Sequence, residues 1–488
     1  MNELNSLAEV RLDPSWAFRV PEAVAMRRLV LPMCAVEGRL AVAMADQGDQ
    51  AAIAAVRAAV GMEVEVYSAP PGEIRSALLR VYGDVRSADA RQGSANDPVA
   101  TVDRILRAAA LRQASDIHFN PRRGDTLVRM RIDGCIEDFT TLSAELAPAV
   151  ASRIKVMSDL DIAERRAPQD GAFTWTPPAL HGATSAPLDI RVATLPVRHG
   201  ERITLRLLEA GRDRLTLGTL GMSPDDMTLF RSILARPHGL VLLTGPTGSG
   251  KTTTLYAAIR ELLEHAPLNI LTVEDPVEYE IDGVAQAEVD SGDKVSFGKA
   301  LRSLLRHDPD VIMIGEIRDD ISLDTAVKAA LTGHLVLSTL HTNDAPSAVT
   351  RLRDMGLAPH VLGATLRLCA AQRLVRRLCP RCREESALGE SEAALLGRPG
   401  LAGSRVWKPR GCLACAGRGY SGRIGVFELM ASDTELAHLL ATGAPEDEIH
   451  AHLSSRKTKT LADDAAEKLL AGDTDFTEII RAIGATDN

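Results

Sequence analysis

Residues 245–252 read GPTGSGKT, a pattern whose residue types suit phosphate binding. An apolar run precedes this pattern and a stretch with helical spacing follows it, which predicts a buried strand, a glycine-rich turn (the P-loop) and a helix. Such a turn can direct backbone N–H groups at phosphate oxygens, and the helix N-terminus adds a favourable dipole. Lys251 can reach the β- and γ-phosphates, and the Thr252 hydroxyl can ligate Mg²⁺. We therefore predict a nucleoside triphosphate site. Its predicted binding residues are Gly245, Pro246, Thr247, Gly248, Ser249, Gly250, Lys251, Thr252 and Thr253.

Glu316 follows the apolar run 311–314, which is predicted to be a core strand. A carboxylate at the carboxyl end of such a strand lies beside the crevice where doubly wound sheets bind ligands. Glu316 is therefore predicted to orient or deprotonate the water that attacks the γ-phosphate. Many P-loop enzymes have Asp at the position of Gly315. Mg²⁺ is accordingly expected to be held mainly by Thr252, the phosphates and waters.

Two other predicted strands also end in polar residues. Glu274 closes the run 270–273, and further acids follow it within 275–278. Carboxylates there can bind Mg²⁺-linked waters or set the acidity of the attacking water. His341 follows the strand 335–337, where it can sense the γ-phosphate or donate to the charge of the transition state. Both residues are predicted to assist hydrolysis.

A site of this kind also needs positive charge against the γ-phosphoryl group, and an arginine can come from another subunit. The candidates inside the P-loop domain are Arg302, Arg306 and Arg318, while Arg191 and Arg206 lie before it. Sequence spacing does not choose among these five.

Cysteines form two C-x-x-C pairs, CPRC at 379–382 and CLAC at 412–415. Four thiolates at this spacing predict a closed, tetrahedral structural zinc site on Cys379, Cys382, Cys412 and Cys415. Redox-active pairs are the alternative interpretation. A basic run flanks the first pair. It is interpreted as a solvated face rather than as a contact for nucleic acid or an acidic partner. Its members are Arg373, Arg376, Arg377, Arg381 and Arg383.

The 488 residues are too many for one ordinary core, and about three domains are expected. Aromatic residues make up only 3% of the chain, so the cores must be aliphatic. The net charge of −9 disfavours a nucleic-acid surface. We find no run as apolar and long as a membrane span and no signal peptide, and therefore expect a cytoplasmic protein with reduced cysteines.

The predicted fold class is multidomain α/β: a RecA-like P-loop core with a mostly parallel sheet follows two smaller α/β modules and precedes a zinc-binding and helical region. Hairpins are predicted around Glu37-Gly38 and Asp133-Gly134, and an exposed loop over 176–187. The predicted domains are an N-terminal module (1–83), a linker (84–97), a PAS-like arginine-bearing module (98–208), a second linker (209–214), the P-loop domain (215–377), a tetracysteine subdomain (378–418) and a helical region (419–488).

Several blocks of the chain together resemble the type II secretion ATPases, the GspE family, within the wider group of secretion and type IV pilus assembly ATPases. The most specific are GPTGSGKTTTLY, ILTVEDPVEY, DPDVIMIGEIRD and TGHLVLSTLHTN. ASDIHF, RIDG, RVATLPVRHGERITLRLL and the CPRC–CLAC pair also look like this family. Gly315 agrees with the family pattern. The resemblance covers nearly the whole chain.

The resemblance implies an ATPase that works as a ring, commonly a hexamer, peripherally at the cytoplasmic face of the inner membrane. There it would drive pseudopilus assembly and the export of folded proteins, docked on inner-membrane platform and docking proteins. Lys251 and Thr252 would bind ATP and Mg²⁺, Glu316 would be the catalytic carboxylate, and Glu274 and His341 would assist. Arg191 and Arg206 match arginines that approach the γ-phosphate. The resemblance adds no nucleic-acid partner.

Three alternatives stay open at this point. A type IV pilus extension ATPase shares these motifs. A nucleic-acid translocase is disfavoured by the acidic balance and by the lack of a base-stacking aromatic cluster. A nucleotide-gated scaffold without hydrolysis is disfavoured by Glu316 at the end of its strand.

Overall fold

A computed structural model describes residues 2–4, 6–82, 97–177, 187–208, 216–289 and 297–484. Its residue contacts divide the chain into two compact units, each of which is described separately. The first contains residues 1–210, 378–384 and 408–422, and the second contains 211–377, 385–407 and 423–488. Three predicted segments fall largely outside the described residues. They are the linker 84–97, the loop 176–187 and the linker 209–214, which connects to the P-loop domain. The predicted domain boundaries therefore stay predictions.

The N-terminal module of the first unit is a four-stranded sheet with helices, in the strand order β1-β4-β3-β2. The predicted hairpin at Glu37-Gly38 is confirmed, because β2 and β3 pair antiparallel around it. Its apolar residues form one core, from Leu7 through Val81. The strands are β1 (Asn2–Glu3), β2 (Val30–Val36), β3 (Arg39–Met44) and β4 (Val64–Ser68), and the helices are α1 (Pro14–Ala17), α2 (Glu22–Arg28), α3 (Gln50–Val60) and α4 (Pro71–Tyr82).

The arginine-bearing module has a six-stranded sheet in the order β7-β6-β5-β10-β9-β8, and every neighbouring pair is antiparallel. The other predicted hairpin, at Asp133-Gly134, lies in this module and is confirmed by the antiparallel pairing of β6 with β7. One sheet face carries the apolar core, and the helices contribute to that core. The elements are α5 (Pro98–Arg112), β5 (Ala114–Pro121), β6 (Asp125–Ile132), β7 (Cys135–Ser143), α6 (Ala147–Met157), β8 (Gln169–Trp175), β9 (Leu188–Val197) and β10 (Gly200–Leu208).

The second unit is built on a seven-stranded sheet in the order β13-β12-β14-β15-β11-β16-β19. The five neighbouring pairs from β13 to β16 are parallel, as the near-continuous apolar strands predict. The elements that build it are α7 (Pro224–Leu234), β11 (Gly239–Thr244), α8 (Lys251–His265), β12 (Ile270–Glu274), β13 (Val284–Glu288), α9 (Phe297–Leu304), β14 (Val311–Ile314), α10 (Asp320–Leu331), β15 (Leu335–Leu340), α11 (Ala345–Asp354), α12 (Pro359–Thr365) and β16 (Leu366–Leu378).

The rest of the second unit is mainly helical. Buried Glu428 accepts hydrogen bonds from the backbone N–H groups of Ala345 and Leu461, so β19 holds the first turns of two helices. The elements are β17 (Glu384–Ala387), α13 (Glu390–Leu395), β18 (Arg405–Lys408), β19 (Tyr420–Ala431), α14 (Thr434–Thr442), α15 (Glu446–Ser455), α16 (Leu461–Ala471) and α17 (Phe476–Ile483). Among the described residues, no helix combines the length and apolar character that crossing a membrane requires.

Candidate active site

The P-loop joins buried β11 to the N-terminus of α8, as the sequence predicts. Two of its glycines are required by geometry. Gly245 has φ +147°, and a Cβ there would lie 2.5 Å from the carbonyl oxygen of Gln372. Gly250 has φ +89°, and a Cβ there would lie 2.8 Å from Gln372 Nε2. A side chain at Gly245 would collide with the backbone of β16, and the positive φ of Gly250 would strain any other residue.

Polar groups inside the loop point to an anion as its ligand. The Lys251 ammonium group donates to the carbonyl oxygens of Gly245, at 2.7 Å, and Pro246, at 3.1 Å. Ser249 is 4% exposed, and its hydroxyl has no hydrogen-bond partner among the described residues. A buried hydroxyl without a partner is costly, and a phosphate oxygen would satisfy it. Thr252 follows at the helix start, where its hydroxyl can ligate Mg²⁺.

The burial of Lys251 predicts how nucleotide binding depends on pH. Burial lowers the pKa of its ammonium group to about 8, while Glu316 acts to raise that pKa and Arg373 acts to lower it. Below pH 8 the lysine already carries the charge that attracts phosphate. Above pH 8 binding must take up a proton, so Kd for ATP is expected to rise by up to about tenfold per pH unit.

Titration with a fluorescent ATP analogue from about pH 7 to pH 10 measures this dependence of Kd on pH. Lys251→Arg, which stays protonated, is the control and should flatten the profile. An equally flat profile in the parent protein would contradict the prediction.

Glu316 lies at the carboxyl edge of the sheet, where neighbouring strands bring it together with other predicted residues. Its carboxylate is 3.0 Å from Arg318 Nε and 3.5 Å from His341 Nε2. Arg318 also reaches Asp275, at 3.3 Å between Nη1 and Oδ2. The effect of Glu316 on the pKa of Lys251 places this cluster within electrostatic reach of the P-loop. Strand ends predicted separately thus form one charged site.

A cavity of about 360 Å³ opens beside this cluster. Glu316, Arg318 and His341 line it, together with Arg351 of α11, which the sequence analysis did not single out. Arg351 stands within a helix whose pattern is ordinary, so no sequence signal distinguishes it. The cavity therefore presents one carboxylate among several cationic or titratable groups, a suitable environment for phosphate oxygens and water.

Glu274 is 2% exposed and is fully engaged in hydrogen bonds. It accepts from the hydroxyl of Thr272, at 2.6 Å, from Gln286 Nε2, at 3.2 Å, and from the hydroxyl of Tyr256. Burial, and then the neighbouring Glu274 charge, raise the pKa of Tyr256 above its usual range. This arrangement suits Glu274 to holding the end of β12 in position. Its assistance to hydrolysis stays a prediction.

Two residues of β16 complete the floor of the P-loop, in a role that no sequence pattern indicates. Gln372 accepts a hydrogen bond from Thr254 in α8, at 2.9 Å. Arg373 donates to the backbone carbonyl of Asn343, at 2.6 Å, and to that of Gln372, at 3.1 Å. Arg373 is 8% exposed, so its interpretation as part of a solvated basic face is wrong.

Other members of the basic run are also paired. Arg376 contacts Glu478 at 2.7 Å, and Arg381 contacts Glu9 at 2.8 Å. Burial opposes ionisation of Glu478, but hydrogen bonds from Arg376 and Arg481 hold its pKa at about 2. Arg376 is therefore held by a buried carboxylate, whereas Arg377 and Arg381 are exposed, as expected for a solvated face.

The five candidate arginines differ in the residues that they contact. Arg302 and Arg306 make hydrogen bonds close to their own helix, to Gly298 and Ser303, whereas Arg318 touches Glu316. Arg191 and Arg206 belong to the other unit and face each other directly in the pairing of β9 with β10.

Asp116 holds the second of these arginines in the arginine-bearing module. It contacts Arg206 Nε at 3.2 Å and Arg131 Nε at 3.6 Å. The approach of Arg191 and Arg206 to a γ-phosphate stays a prediction.

The four cysteines of the two C-x-x-C pairs meet in the first unit. Their sulfur atoms all lie within 4.8 Å of one another; Cys379 and Cys415 are buried, and Cys382 and Cys412 are half-buried. The backbone N–H groups of Cys412 and Gly419 donate to Cys415 Sγ, at 3.2 Å each. Four sulfurs converging in this way, with amide donors behind them, fit a tetrahedral zinc ion.

Comparison with known proteins gives consistent matches. Residues 93–481 match the family model described as Type II/IV secretion system protein, and residues 3–88 match the MshEN domain. Type II secretion system protein HxcR of Pseudomonas aeruginosa is 45% identical over 383 residues, covering 78% of this chain and 76% of that protein. Type II secretion system ATPase E of Vibrio cholerae is 42% identical, with coverage of 78% and 75%. Type IV pilus assembly ATPase PilB of Thermus thermophilus is 37% identical, with coverage of 96% and 54%.

Solved structures agree on the fold. The pilus retraction motor PilT with bound ADP has a TM-score of 0.53 and 26% identity, covering 79% of this chain and 97% of that one. The ATPase DotB of Legionella pneumophila has a TM-score of 0.59 and 23% identity, with coverage of 80% and 96%. The second of these is a likeness of fold alone.

Proposed function

Since this chain belongs to the type II/IV secretion system protein family and is an ATP-hydrolysing enzyme, we propose that it is the motor of a type II secretion system. In this role its hydrolysis of ATP drives assembly of a pseudopilus and the export of folded proteins. The observation that carries the proposal is the meeting of the P-loop with the Glu316 cluster at one edge of the parallel sheet.

Each residue of that edge has a role in the proposed reaction. The P-loop amides and Lys251 bind the phosphates of ATP, and Thr252 ligates Mg²⁺, which supplies charge neutralisation when bound. Glu316 orients the attacking water and accepts its proton, while His341 and Glu274 assist. Arg318 pairs with Glu316 in the structure, and release of this pair would free the carboxylate to act on water.

Positive charge from the arginine-bearing module completes the proposed site. Arg191 and Arg206 approach the γ-phosphate when ATP closes that module onto the P-loop domain, and they withdraw after hydrolysis. Such a switch requires the protein to make different contacts with ATP and with ADP. Asp116, the partner of Arg206 in the structure, exchanges with phosphate oxygens during closure.

The proposed working form is a homo-oligomer, a hexameric ring, on the cytoplasmic face of the inner membrane. The N-terminal module docks on inner-membrane proteins of the system, and the ring moves a platform protein in that membrane. The type II relatives among the matches, at 42–45% identity, support this assignment. A type IV pilus assembly ATPase is the second candidate, because the match to PilB extends over 96% of the chain.

The first experiment measures ATP hydrolysis against protein concentration, with and without single-stranded DNA. A ring-shared site predicts specific activity that rises steeply with concentration and does not respond to DNA. Activity independent of concentration would contradict the ring, and strong stimulation by DNA would favour a translocase instead.

A second experiment distinguishes a type II secretion system from a type IV pilus system. Secretion of a reporter exoprotein and surface piliation are compared in a strain lacking the gene. Loss of secretion with normal piliation supports the proposal.

A further inference from the structure

The CLAC knuckle, residues 412–417, contacts two other parts of the first unit, and neither contact is needed to bind a metal ion. We propose that this knuckle is a zinc-dependent dock for the N-terminal module, which it fixes to the arginine-bearing module. Loss of zinc would then release the N-terminal module while the P-loop domain stays folded. The partner of this surface is thus a segment of the same chain, about 400 residues distant in sequence.

Apolar contacts show that the knuckle is part of the core of the N-terminal module. Ala416 is 8% exposed and is a member of that core cluster, and Leu413 packs against it. Gly417 has φ +76°, and a Cβ there would lie 2.1 Å from the carbonyl oxygen of Ala35 in β2. Backbone of the knuckle and backbone of β2 are therefore in direct contact. This closeness is possible only while the knuckle keeps its shape.

Polar contacts join the same two surfaces. The Arg11 backbone N–H donates to the Leu413 carbonyl oxygen, at 3.0 Å. Two exposed ion pairs flank the contact, between Arg381 and Glu9 at 2.8 Å and between Arg410 and Glu37 at 2.6 Å. Both arginines come from the cysteine-bearing segments and both glutamates from the N-terminal module. The charges are thus complementary across the contact.

A chain of half-buried charges carries the connection on to the arginine-bearing module. Arg418, just after the knuckle, contacts Glu137 of β7 at 3.3 Å. Glu137 also contacts Arg112 of α5, at 2.6 Å, and Arg112 reaches Asp13 of the N-terminal module at 3.4 Å. Three parts of the chain therefore share one charge network. Removing a member of such a network leaves its buried partners uncompensated, which makes the arrangement specific.

Zinc would stabilise the position of the knuckle. Residues 413–415 form a single turn of 3-10 helix, and Ala416 and Gly417 have positive φ values. Backbone hydrogen bonds close this turn, among them the one from the Gly417 N–H to the Cys412 carbonyl oxygen, at 2.9 Å, but they join residues within 412–418 and do not tie the turn to the other cysteine pair. Four thiolates on one zinc ion hold the two cysteine pairs together, so metal binding contributes directly to local folding. Without zinc, the four thiols are no longer tied to one another, so the contacts of 412–417 with β2 are expected to weaken.

Hydrogen exchange of the full chain, followed by mass spectrometry, tests the dock. When a tight chelator removes zinc, amide exchange in β2 is expected to rise by roughly tenfold or more, while exchange in β11 and β15 of the P-loop domain stays unchanged. Unchanged exchange in β2 after complete loss of zinc would overturn the proposal. An equal rise in β2, β11 and β15 would overturn it as well, because the effect would then be global unfolding.

A matched pair of substitutions separates the contact from the metal. Leu413→Asp places a charge against the core of the N-terminal module, whereas Ala414→Asp places the same charge one residue away, outside that core cluster. With zinc content measured in both, Leu413→Asp is expected to raise exchange in β2 and Ala414→Asp to leave it near the parent value. Equal effects of the two variants would overturn the dock.

A charge swap tests the contact without touching the knuckle. The double variant Glu9→Lys/Glu37→Lys is expected to raise exchange in β2 by about threefold, since exposed ion pairs are individually weak. Adding Arg381→Glu/Arg410→Glu should restore the parent value with zinc retained. No restoration would count against the proposed surface. None of these readouts involves ATP hydrolysis. A result that overturns the dock therefore leaves the proposed motor function standing, and the reverse also holds.

Discussion

Replacing Glu316 by Gln is expected to lower kcat for ATP hydrolysis by about 10²–10⁴-fold while nucleotide binding is retained. The amide has nearly the same shape but cannot accept a proton from water, and it loses the ion pair with Arg318 and the charge that faces His341. The P-loop contacts of the nucleotide do not involve Glu316, so Kd should change little. Steady-state phosphate release and equilibrium binding of a fluorescent ATP analogue provide the two measurements.

The matched control for this variant is Glu280→Gln, which makes the same chemical change at an exposed carboxylate of the P-loop domain. That control should hydrolyse ATP at the parent rate. If Glu316→Gln lost ATP binding to the same extent as kcat, Glu316 would belong to the binding site or to the fold rather than to the chemical step. If it hydrolysed ATP normally, another carboxylate would have to act on water, and Glu274 would be the next candidate.

Replacing Arg206 by Ala is expected to reduce kcat in the assembled oligomer by roughly 10³-fold or more, the usual effect of losing an arginine finger. The reason is the proposed contact of its guanidinium group with the γ-phosphate in the closed state. In the structure Arg206 is 3.2 Å from Asp116, so the arginine is already held on the exposed face of β10. Hydrolysis is measured at protein concentrations at which sedimentation shows the oligomer.

Arg202→Ala is the control for that variant, because Arg202 lies on the same strand four residues earlier and is also exposed. It should leave kcat within about twofold of the parent value. Arg206→Lys keeps the charge but loses the planar fork, and it should recover only part of the rate. Normal hydrolysis by Arg206→Ala in a complete oligomer would remove Arg206 from the site and with it the proposed closure.

Much of the active site was predictable because its parts are local patterns. A glycine-rich turn between an apolar strand and a helix reveals itself within eight residues, and Lys251 is defined by that spacing. Glu316 and His341 were identified because parallel strands end at one edge of a sheet. The structure brings these two side chains to 3.5 Å of each other. Turn residues predicted both hairpins, and apolar strands alternating with helices predicted the parallel pairing of the core.

Other parts depended on segments that are far apart in the chain. Arg373 looked like a member of a solvated run, but β16 lies beside β11 and buries it under the P-loop. Gln372 and Arg351 carry no sequence pattern at all. Their roles come from what packs against them, and burial and hydrogen-bond partners are properties of the neighbouring elements rather than of the residue.

The four cysteines of the zinc site show most clearly the difference between what a local pattern predicts and what long-range contacts decide. Two C-x-x-C pairs predict a metal site from spacing alone, because four sulfur ligands suffice to define it. The spacing does not determine which surface the knuckle contacts. Leu413 and Ala416 pack with a core that comes almost entirely from the first 82 residues. The sequence by itself determined the chemistry of the phosphate, carboxylate and thiolate groups, because that chemistry belongs to residue type and local spacing. Only the tertiary structure decided their neighbours, because long-range packing sets burial, charge pairing and contact.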